Sequence, residues 1–239
     1  MELQVHLEEM AKNLGAFYFG VADLSLTQGG ALTPYEKRLT SEYPLAISIG
    51  VPLFPETVDR IEDQEDIPSL QNYWFHVYKM ISPLIDHITT RLTHAIMREG
   101  YQALPIPCTQ TLDTDNFHGL FSNKMAASLA GLGWIGKSCL LITPDRGPRV
   151  RWGTILTDAP LHAGKPVKVR CGECIECVEA CPAGAFTGQN FKPSEPREMR
   201  MHAARCNEFF KERERNIGHR VCGMCVYICP FGKTRSKKS

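Results

Sequence analysis

Apolar residues at helical spacing open the chain, and two strand-like segments follow them. The apolar positions recur every three or four residues, at Leu3, Leu7, Met10 and Leu14. This pattern predicts a helix that ends at Gly15. Residues 17–24 and 45–53 are predicted strands, and the second is apolar enough to be buried on both faces.

The longest helical pattern covers residues 69–100. Pro83 lies inside it and is expected to kink or divide the helix, because proline lacks a backbone donor and clashes with the preceding turn. Residues 101–107 form a third predicted strand. A helix of small residues is predicted over residues 122–130, with Ser122 as its N-cap.

Two further strand-like segments, residues 139–143 and 150–157, flank a turn at residues 144–147. Proline and glycine in so short a connection predict a hairpin between the two segments. The chain then crosses a Gly-, Pro- and Lys-containing linker near residues 162–169. We therefore predict an α/β domain over residues 1–163 and a smaller domain over residues 164–239.

Composition places the chain among ordinary globular proteins. Its 239 residues are 43% hydrophobic and 22% charged. The N-terminus carries glutamates rather than an apolar stretch, and no run approaches the roughly 18 apolar residues of a membrane span. These features predict a cytoplasmic protein without a membrane segment.

Charge is unevenly distributed, although the formal net charge is only +1. Residues 1–160 contain 12 Lys and Arg against 18 Asp and Glu, whereas residues 161–239 contain 15 against 8. A basic second part can attract nucleic acid or an acidic redox partner. It can also offset the negative charge of bound iron–sulfur clusters, which is the interpretation we favour.

Cysteine spacing is the strongest chemical signal in the sequence. One run has the form C-x-x-C-x-x-C-x-x-x-C-P, a lone cysteine follows, and a second run reads C-x-x-C-x-x-x-C-P. This is the bacterial two-cluster pattern, in which the last cysteine of each run ligates the other run's [4Fe–4S] cluster. One predicted ligand set is Cys171, Cys174, Cys177 and Cys229. The other predicted set is Cys181, Cys206, Cys222 and Cys225.

Zinc and disulfides are the competing explanations for these cysteines. Zinc ribbons use paired C-x-x-C motifs, but not four cysteines within eleven residues followed by proline. Disulfides require an oxidising compartment, which nothing in the sequence indicates. Cys108 and Cys139 lie outside the pattern and are predicted to be buried, small apolar residues.

Residues 131–138, GLGWIGKS, match two phosphate-binding motifs by spacing alone, the P-loop and the dinucleotide fingerprint. Both motifs need a strand before the glycines and a helix after them. Here a predicted helix precedes and a strand-like segment follows, so we reject both. The glycines indicate a backbone close to a flat, bulky ligand or a tight turn packed under an aromatic ring.

Three segments between residues 122 and 232 resemble the epoxyqueuosine reductase family. They are AGLGWIGKSCLLITPDRGPRVRWGTILTDAPL, CGECIECVEACPAGAF and IGHRVCGMCVYICP. Members of that family are cobalamin-dependent iron–sulfur enzymes related to reductive dehalogenases. The resemblance implies a nitroreductase-like domain that holds a base-off corrinoid, followed by a two-[4Fe–4S] ferredoxin-like domain. It implies cofactor contacts at Gly133, Gly136, Lys137, Ser138, Thr157 and Asp158.

The family's proton-donating aspartate has no direct counterpart. Counting back from Trp134 to the family's position gives Phe117. Asp113 and Asp115 are nearby and are candidates for a shifted donor or for loop caps. Tyr73 is a candidate match to a family active-site tyrosine, or a core aromatic residue.

The sequence therefore predicts an oxidoreductase that passes low-potential electrons through two clusters to a corrinoid and reduces an unidentified small or modified substrate. The expected donor is a ferredoxin or flavodoxin. The family's C-terminal helical region, which binds tRNA, is not expected here, and this argues against a tRNA substrate. The alternatives are an electron-transfer or reductive-activation protein for a partner corrinoid protein, a flavin-containing reductase, and a nucleic-acid-binding protein.

Overall fold

The computed structural model describes residues 2–113 and 117–233, and it has a mixed α/β fold. The strands are β1 (Tyr18–Asp23), β2 (Leu45–Pro52), β3 (Ala103–Ile106), β4 (Trp134–Ile135), β5 (Leu141–Ile142) and β6 (Val150–Thr157). The α-helices are α1 (Glu2–Asn13), α2 (Pro34–Glu42), α3 (Pro55–Asp59), α4 (Ile67–Phe75), α5 (Ser82–Arg98), α6 (Asn123–Leu129), α7 (Glu176–Glu179), α8 (Ala203–Ile217), α9 (Met224–Tyr227) and α10 (Pro230–Lys233). The predicted fold class is confirmed.

A four-stranded antiparallel sheet, with the strand order β1-β2-β6-β3, lies at the centre of the first part of the chain. Strand β6 pairs with β2 along its whole length, from Pro52↔Val150 to Leu45↔Thr157. Strand β3 pairs only with the second half of β6, from Ile106↔Thr154 onward. The first half of β6 therefore has a strand neighbour on one side only.

Helix α5 packs its apolar stripe against one face of this sheet. The fully buried residues of this layer include Ile85, Ile88, Leu92, Ile96, Ile47, Ile49 and Ile155. Gly153 permits the close approach, because a Cβ there would lie 2.4 Å from Cγ2 of Ile85. Burial of each such side chain contributes ~1.5–3 kcal/mol, so this layer holds β6 firmly in place.

Helix α6 covers the opposite face with small residues. Ala126 and Ala130 are buried there against Leu156 of β6. A Cβ at Gly20 of β1 would lie 3.1 Å from Cβ of Ala130, so a larger side chain would separate the helix from the sheet. This close packing fixes the glycine-rich turn that follows α6.

The elements predicted from periodicity are confirmed with small shifts of their ends, as the bounds of α1, β1, β2, β3 and α6 show. Ser122 caps α6 as predicted, because its side chain accepts a hydrogen bond from the backbone N–H of Met125. The long helical pattern is divided, with a π-helix (His76–Ile81) between α4 and α5 and Pro83 in the first turn of α5. The domain boundary at residues 163 and 164 stays a prediction.

The predicted hairpin between residues 139–143 and 150–157 is wrong. Strand β5 pairs with β4, in the register Trp134↔Ile142, and forms a separate two-stranded sheet. Strand β6 is buried along almost its whole length, which suits the centre of the main sheet rather than a surface hairpin. The intervening turn closes on itself through a bridge between Thr143 and Gly147.

None of the helices in residues 2–113 and 117–233 combines the length and the hydropathy that a membrane crossing requires.

Candidate redox site

The structure brings together the four cysteines of the first predicted ligand set. Burial raises the pKa of the Cys177 thiol to about 12, and the neighbouring thiols of Cys171, Cys229 and Cys174 add to the rise. Cys174 is exposed, whereas the other three are part-buried. Bound iron would lower the pKa of these thiols, because it binds cysteine as the thiolate and its positive charge compensates the repulsion between the thiolates.

The second set is also assembled, and all four of its thiols are part-buried. Burial raises the pKa of Cys206 to about 11, with further contributions from Cys222 and Cys181. Burial raises the pKa of Cys225 well above its ordinary value, and the other three thiols of the set contribute. Cys177 of the first set acts on Cys225 as well, so the two groups are adjacent. The grouping agrees with the spacing-based assignment, and the ligand role stays a prediction.

Short helices and left-handed glycines position these cysteines. Helices α7, α8 and α9 carry one cysteine each, at Cys177, Cys206 and Cys225. Gly172 and Gly223 have φ of +51° and +89°, which glycine adopts without the strain of a side chain. These two turns let the chain present several thiols from a few residues.

The arrangement differs from a single-ion site. Within the described residues, no group of three or more His, Cys, Asp or Glu side chains is arranged to hold one metal ion. A [4Fe–4S] cube does not need such convergence, because each of its thiolates binds a different iron.

The glycine-rich turn after α6 lies against the first cysteine group. A Cβ at Gly133 would lie 2.3 Å from the carbonyl oxygen of Ile142, and one at Gly136 would lie 3.4 Å from Sγ of Cys171. Trp134 is buried and packs edge-on against Phe231, with ring centroids 4.9 Å apart. The tight turn packed with an aromatic ring is therefore the explanation that the structure supports. Helix α6 precedes the turn and β4 begins within it, as expected when the phosphate motifs were rejected.

Two residues of this turn are buried polar side chains. Lys137 is 6% exposed and Ser138 is 5% exposed. Within residues 2–113 and 117–233, no hydrogen bond or ion pair of the Lys137 ammonium is found. Its Nζ atom is not among the fully buried polar atoms without a partner in the described residues, so the ammonium reaches solvent although most of the side chain is covered.

Thr157 and Asp158 lie at the other end of β6 and hold the start of β3. The Thr157 hydroxyl donates to the carbonyl oxygen of Gln102 at 2.7 Å, and the Asp158 carboxylate accepts from the N–H of Gln102 at 2.8 Å. Both side chains thus have a structural role. Their contact with a cofactor stays a prediction.

Tyr73 lies beside the second cysteine group. It is 6% exposed, and a Cβ at Gly223 would lie 2.9 Å from its Cε1 atom. Burial raises its pKa above the ordinary value, and Tyr78 and Cys225 add to the rise. Tyr73 therefore stays protonated at neutral pH, as a proton donor or a core phenol would.

The aspartate candidates belong to the loop after β3. Asp113 forms a backbone bridge with His118, with N–H to oxygen distances of 3.1 and 3.2 Å. Asp115 lies outside the described residues. The catalytic role of both, like that of Tyr73, stays a prediction.

Cys139 has cationic surroundings that the sequence did not reveal. It is 3% exposed, as predicted, but Nη1 of Arg200 donates to its sulfur at 3.8 Å and Nζ of Lys124 donates to its carbonyl oxygen at 2.8 Å. Burial lowers the pKa of Lys124. Cys139 is thus buried without being in apolar surroundings, and the three residues come from segments too distant in sequence for any pattern to connect them.

The comparisons with known proteins first define a class. Residues 170–232 match a family model described as a 4Fe-4S double cluster binding domain. The predicted two-cluster, ferredoxin-like domain is thereby confirmed. It occupies the same segment as the eight assembled cysteines.

The comparisons then confirm the resemblance to epoxyqueuosine reductases. The enzyme of Listeria monocytogenes is 33% identical over 118 residues, covering 48% of this chain and 31% of the relative. That of Bacillus cereus is 33% identical over 152 residues, covering 59% and 38%. The matched region thus spans about a third of the length of these curated relatives.

Solved structures show the same fold over nearly the whole chain. Epoxyqueuosine reductase from Bacillus subtilis aligns with a TM-score of 0.65 at 20% identity, covering 98% of this chain and 66% of that one. The catabolic reductive dehalogenase NpRdhA aligns with a TM-score of 0.68 at 18% identity, covering 95% and 31%. At these identities the likeness establishes the architecture alone.

Proposed function

We propose that this protein is an iron–sulfur reductase in which two [4Fe–4S] clusters carry low-potential electrons to a base-off corrinoid, for the reduction of a small or modified substrate. The observation that carries the proposal is the pair of adjacent cysteine groups, one with an exposed thiol and one with four part-buried thiols beside Tyr73. Such an arrangement suits one-electron transfer from a partner protein into an interior site.

The unequal exposure of the two groups gives the electron path a direction. Cys174 of the first group is exposed, so a cluster there is accessible to a donor such as ferredoxin or flavodoxin. Cys225 of the second group is part-buried and acts on Tyr73 electrostatically. We propose that electrons are accepted at the first cluster and leave through the second.

The residues of the glycine-rich turn fit a corrinoid on one structural criterion. Lys137 has no hydrogen-bond or ion-pair partner among the described residues, and its Nζ atom is not fully buried, so it is available to a polar group of a ligand. Lys137 and Ser138 would contact the cofactor, while Gly133 and Gly136 would shape the turn that presents them. When bound, a corrinoid supplies a cobalt centre that low-potential electrons convert into a strong reductant.

The protein itself would supply protons and exclude water. Tyr73 has a raised pKa and therefore keeps its proton at neutral pH. Its position beside the second cysteine group places a potential proton donor where electrons would arrive. Asp113 is the second proposed donor, in the loop that follows β3.

We place this reductase in the cytoplasm, where thiols stay reduced. The names of the relatives state what those proteins act on, and the substrate of this chain is a separate proposal. One solved epoxyqueuosine reductase, 21% identical to this chain, is in complex with an epoxyqueuosine-modified tRNA stem loop. We propose a smaller substrate, and a binding comparison between such a stem loop and free modified nucleosides tests this choice.

Anaerobic titration of the cluster-reconstituted protein with cobalamin tests the central proposal. We expect the visible and EPR spectra of base-off cobalamin, and weaker binding in Lys137→Met than in Lys168→Met, which replaces an exposed lysine. Absence of binding with both clusters intact would replace the proposal by a two-cluster electron carrier. A yellow chromophore released on denaturation would instead indicate flavin.

A further inference from the structure

Arg151, at the start of β6, is a part-buried cation without a carboxylate partner in the described part of the chain. Its Nη2 atom donates to the Ser82 hydroxyl at 3.3 Å. Its guanidinium lies 5.1 Å from the centre of the Tyr78 ring. Its Nε atom is buried and makes no hydrogen bond. An enclosed guanidinium with an unused donor is expensive without an anion, and its planar fork fits carboxylate or phosphate.

Cys108 lies beside this guanidinium. Burial raises the pKa of the Cys108 thiol, and the adjacent Arg151 and Ser82 oppose the rise. Asp86 also acts on this thiol, and its Oδ1 atom accepts a hydrogen bond from the Cys108 N–H at 2.8 Å. Among the described residues, no ion pair between Asp86 and Arg151 is found.

On one side of Arg151, the described part of the main sheet has no paired strand. Strand β3 ends at Ile106, opposite Thr154, so no strand pairs with Arg151 on that side. The π-helix (His76–Ile81) supplies Tyr78 from the other direction. Single π turns within helices occur frequently at functional sites, because they redirect side chains that a regular helix would place elsewhere.

Arg151 has one competing explanation, the neutralisation of a nearby cluster. Tyr73 lies between the two, since both Cys225 and Arg151 act on its pKa. The groups that act on Arg151 itself are Cys108, Tyr78 and Tyr73, while the thiols of the second cysteine group are not among its main neighbours. The contacts of the guanidinium, with the Ser82 hydroxyl and the Tyr78 ring, are likewise not with the cysteine groups, which favours a ligand over the cluster as the anion.

We propose that Arg151, Ser82, Tyr78 and Cys108 form an oxyanion-binding site that receives a carboxylate or phosphate group of the substrate. The guanidinium and the Tyr78 hydroxyl supply donors. Ser82 orients the guanidinium, because its hydroxyl accepts from Arg151 and donates to the carbonyl oxygen of Val77, and the Cys108 thiol lies beside them. The identification of the anion with the substrate rests on the proposed reductase function. The existence of the anion site does not.

Selective alkylation of Cys108 tests the site without any corrinoid. The cluster-reconstituted protein is treated anaerobically with iodoacetate, an anion, or with iodoacetamide, which is neutral, and the Cys108 peptide is quantified by mass spectrometry. Relative to free cysteine, we expect iodoacetate to be favoured by roughly tenfold, the effect of one charge-assisted contact. Inorganic phosphate or acetate should protect Cys108 against both reagents.

Three variants separate a binding role from a folding role. Arg151→Gln should abolish both the preference and the protection, whereas Arg151→Lys should keep part of each. Arg91→Gln, which removes an exposed arginine from α5, should behave as the parent does. Iron content and thermal unfolding, measured on the same samples, check that each variant is folded and loaded.

Three results would overturn the proposal. An unchanged preference for iodoacetate over iodoacetamide in Arg151→Gln would show that Arg151 does not bind the anion. A lack of phosphate protection, together with a shifted cluster reduction potential in Arg151→Gln, would assign Arg151 to cluster neutralisation. Protection by cobalamin, but not by free phosphate or acetate, would assign the anion to the cofactor's phosphodiester rather than to the substrate. Failure to bind cobalamin would leave the alkylation result unaffected.

Discussion

The two cysteine groups have the same chemistry in opposite surroundings. The first contains an exposed thiol, Cys174, and its Cys171 sulfur is close to Gly136 of the glycine-rich turn. The second has four part-buried thiols and packs against Tyr73 through Gly223. Solvent exposure and hydrogen bonding to sulfur set cluster potentials, so the two sites should differ in potential and accessibility although their ligands are identical.

This difference shows that cysteine spacing determines the type of cluster, but not whether the cluster accepts electrons from a donor or passes them on. Accessibility to a donor follows from what the rest of the chain leaves uncovered. Tyr73 of α4 packs against Gly223 beside the second group, whereas Cys174 of the first group is exposed. The assignment of electron acceptance to the first cluster depends on that difference.

The largest effect is expected from removing one thiol of each group. Cys225→Ala should lower the iron content from about eight to about four atoms per chain, because a part-buried position admits a replacement ligand less readily than an exposed one. Cys174→Ala should keep more iron, since water or an added thiol can reach the exposed position. Iron and sulfide analysis with EPR measures both outcomes. Equal iron loss in the two variants would contradict the expected difference in accessibility between the two groups.

A smaller and more selective effect is expected from the glycines beside each group. In Gly223→Ala, the new Cβ would lie 2.5 Å from Cδ1 of Ile61 at a φ of +89°, and we expect a loss of ~1–3 kcal/mol. The EPR signal of the second cluster should change. Gly136→Ala should instead change the signal of the first cluster, through Cys171.

Gly100→Ala is the matched control for both variants. It has a φ of +87° and open space where the Cβ would lie, so it adds backbone strain without contact to a cysteine. It should leave both EPR signals unchanged. A change of both signals in every variant would mean that the two groups do not respond independently.

The smallest effect is expected at His76, which belongs to neither cysteine group. Burial lowers the pKa of His76, and its Nε2 atom accepts a hydrogen bond from the Phe54 N–H at 3.4 Å. The unfolded chain therefore binds a proton more readily, and stability should fall as the pH drops through about 6.5, the ordinary pKa of histidine. Thermal unfolding of His76→Gln should show less of this loss, whereas the exposed His87→Gln should keep it. Identical pH profiles for all three proteins would contradict the prediction.

The sequence predicted what local spacing controls. Periodicity located α1, β1, β2 and α6, and proline at position 83 marked the divided helix. The cysteine runs predicted the double-cluster domain, which the family match confirms. Helix α2 was missed although its signal was present, since Thr33 and Glu36 form a capping box with Pro34 between them.

Long-range pairing explains what sequence reasoning could not find. The hairpin prediction failed because β6 pairs with β2, a hundred residues earlier, instead of with its neighbour β5. The contacts of Arg151 with Ser82 and Cys108 and those of Cys139 with Arg200 depend on the same tertiary arrangement. No local pattern carries that information.

The most direct test of the proposed electron path uses a protein that keeps only the first cluster. Cys206→Ala, loaded anaerobically with cobalamin, would be mixed with reduced ferredoxin and followed by rapid-freeze EPR and visible spectra. The path predicts that the first cluster is reduced while the bound cobalt is not, whereas both are reduced in the unaltered protein. Cobalt reduction at the unaltered rate in Cys206→Ala would contradict transfer through the second cluster.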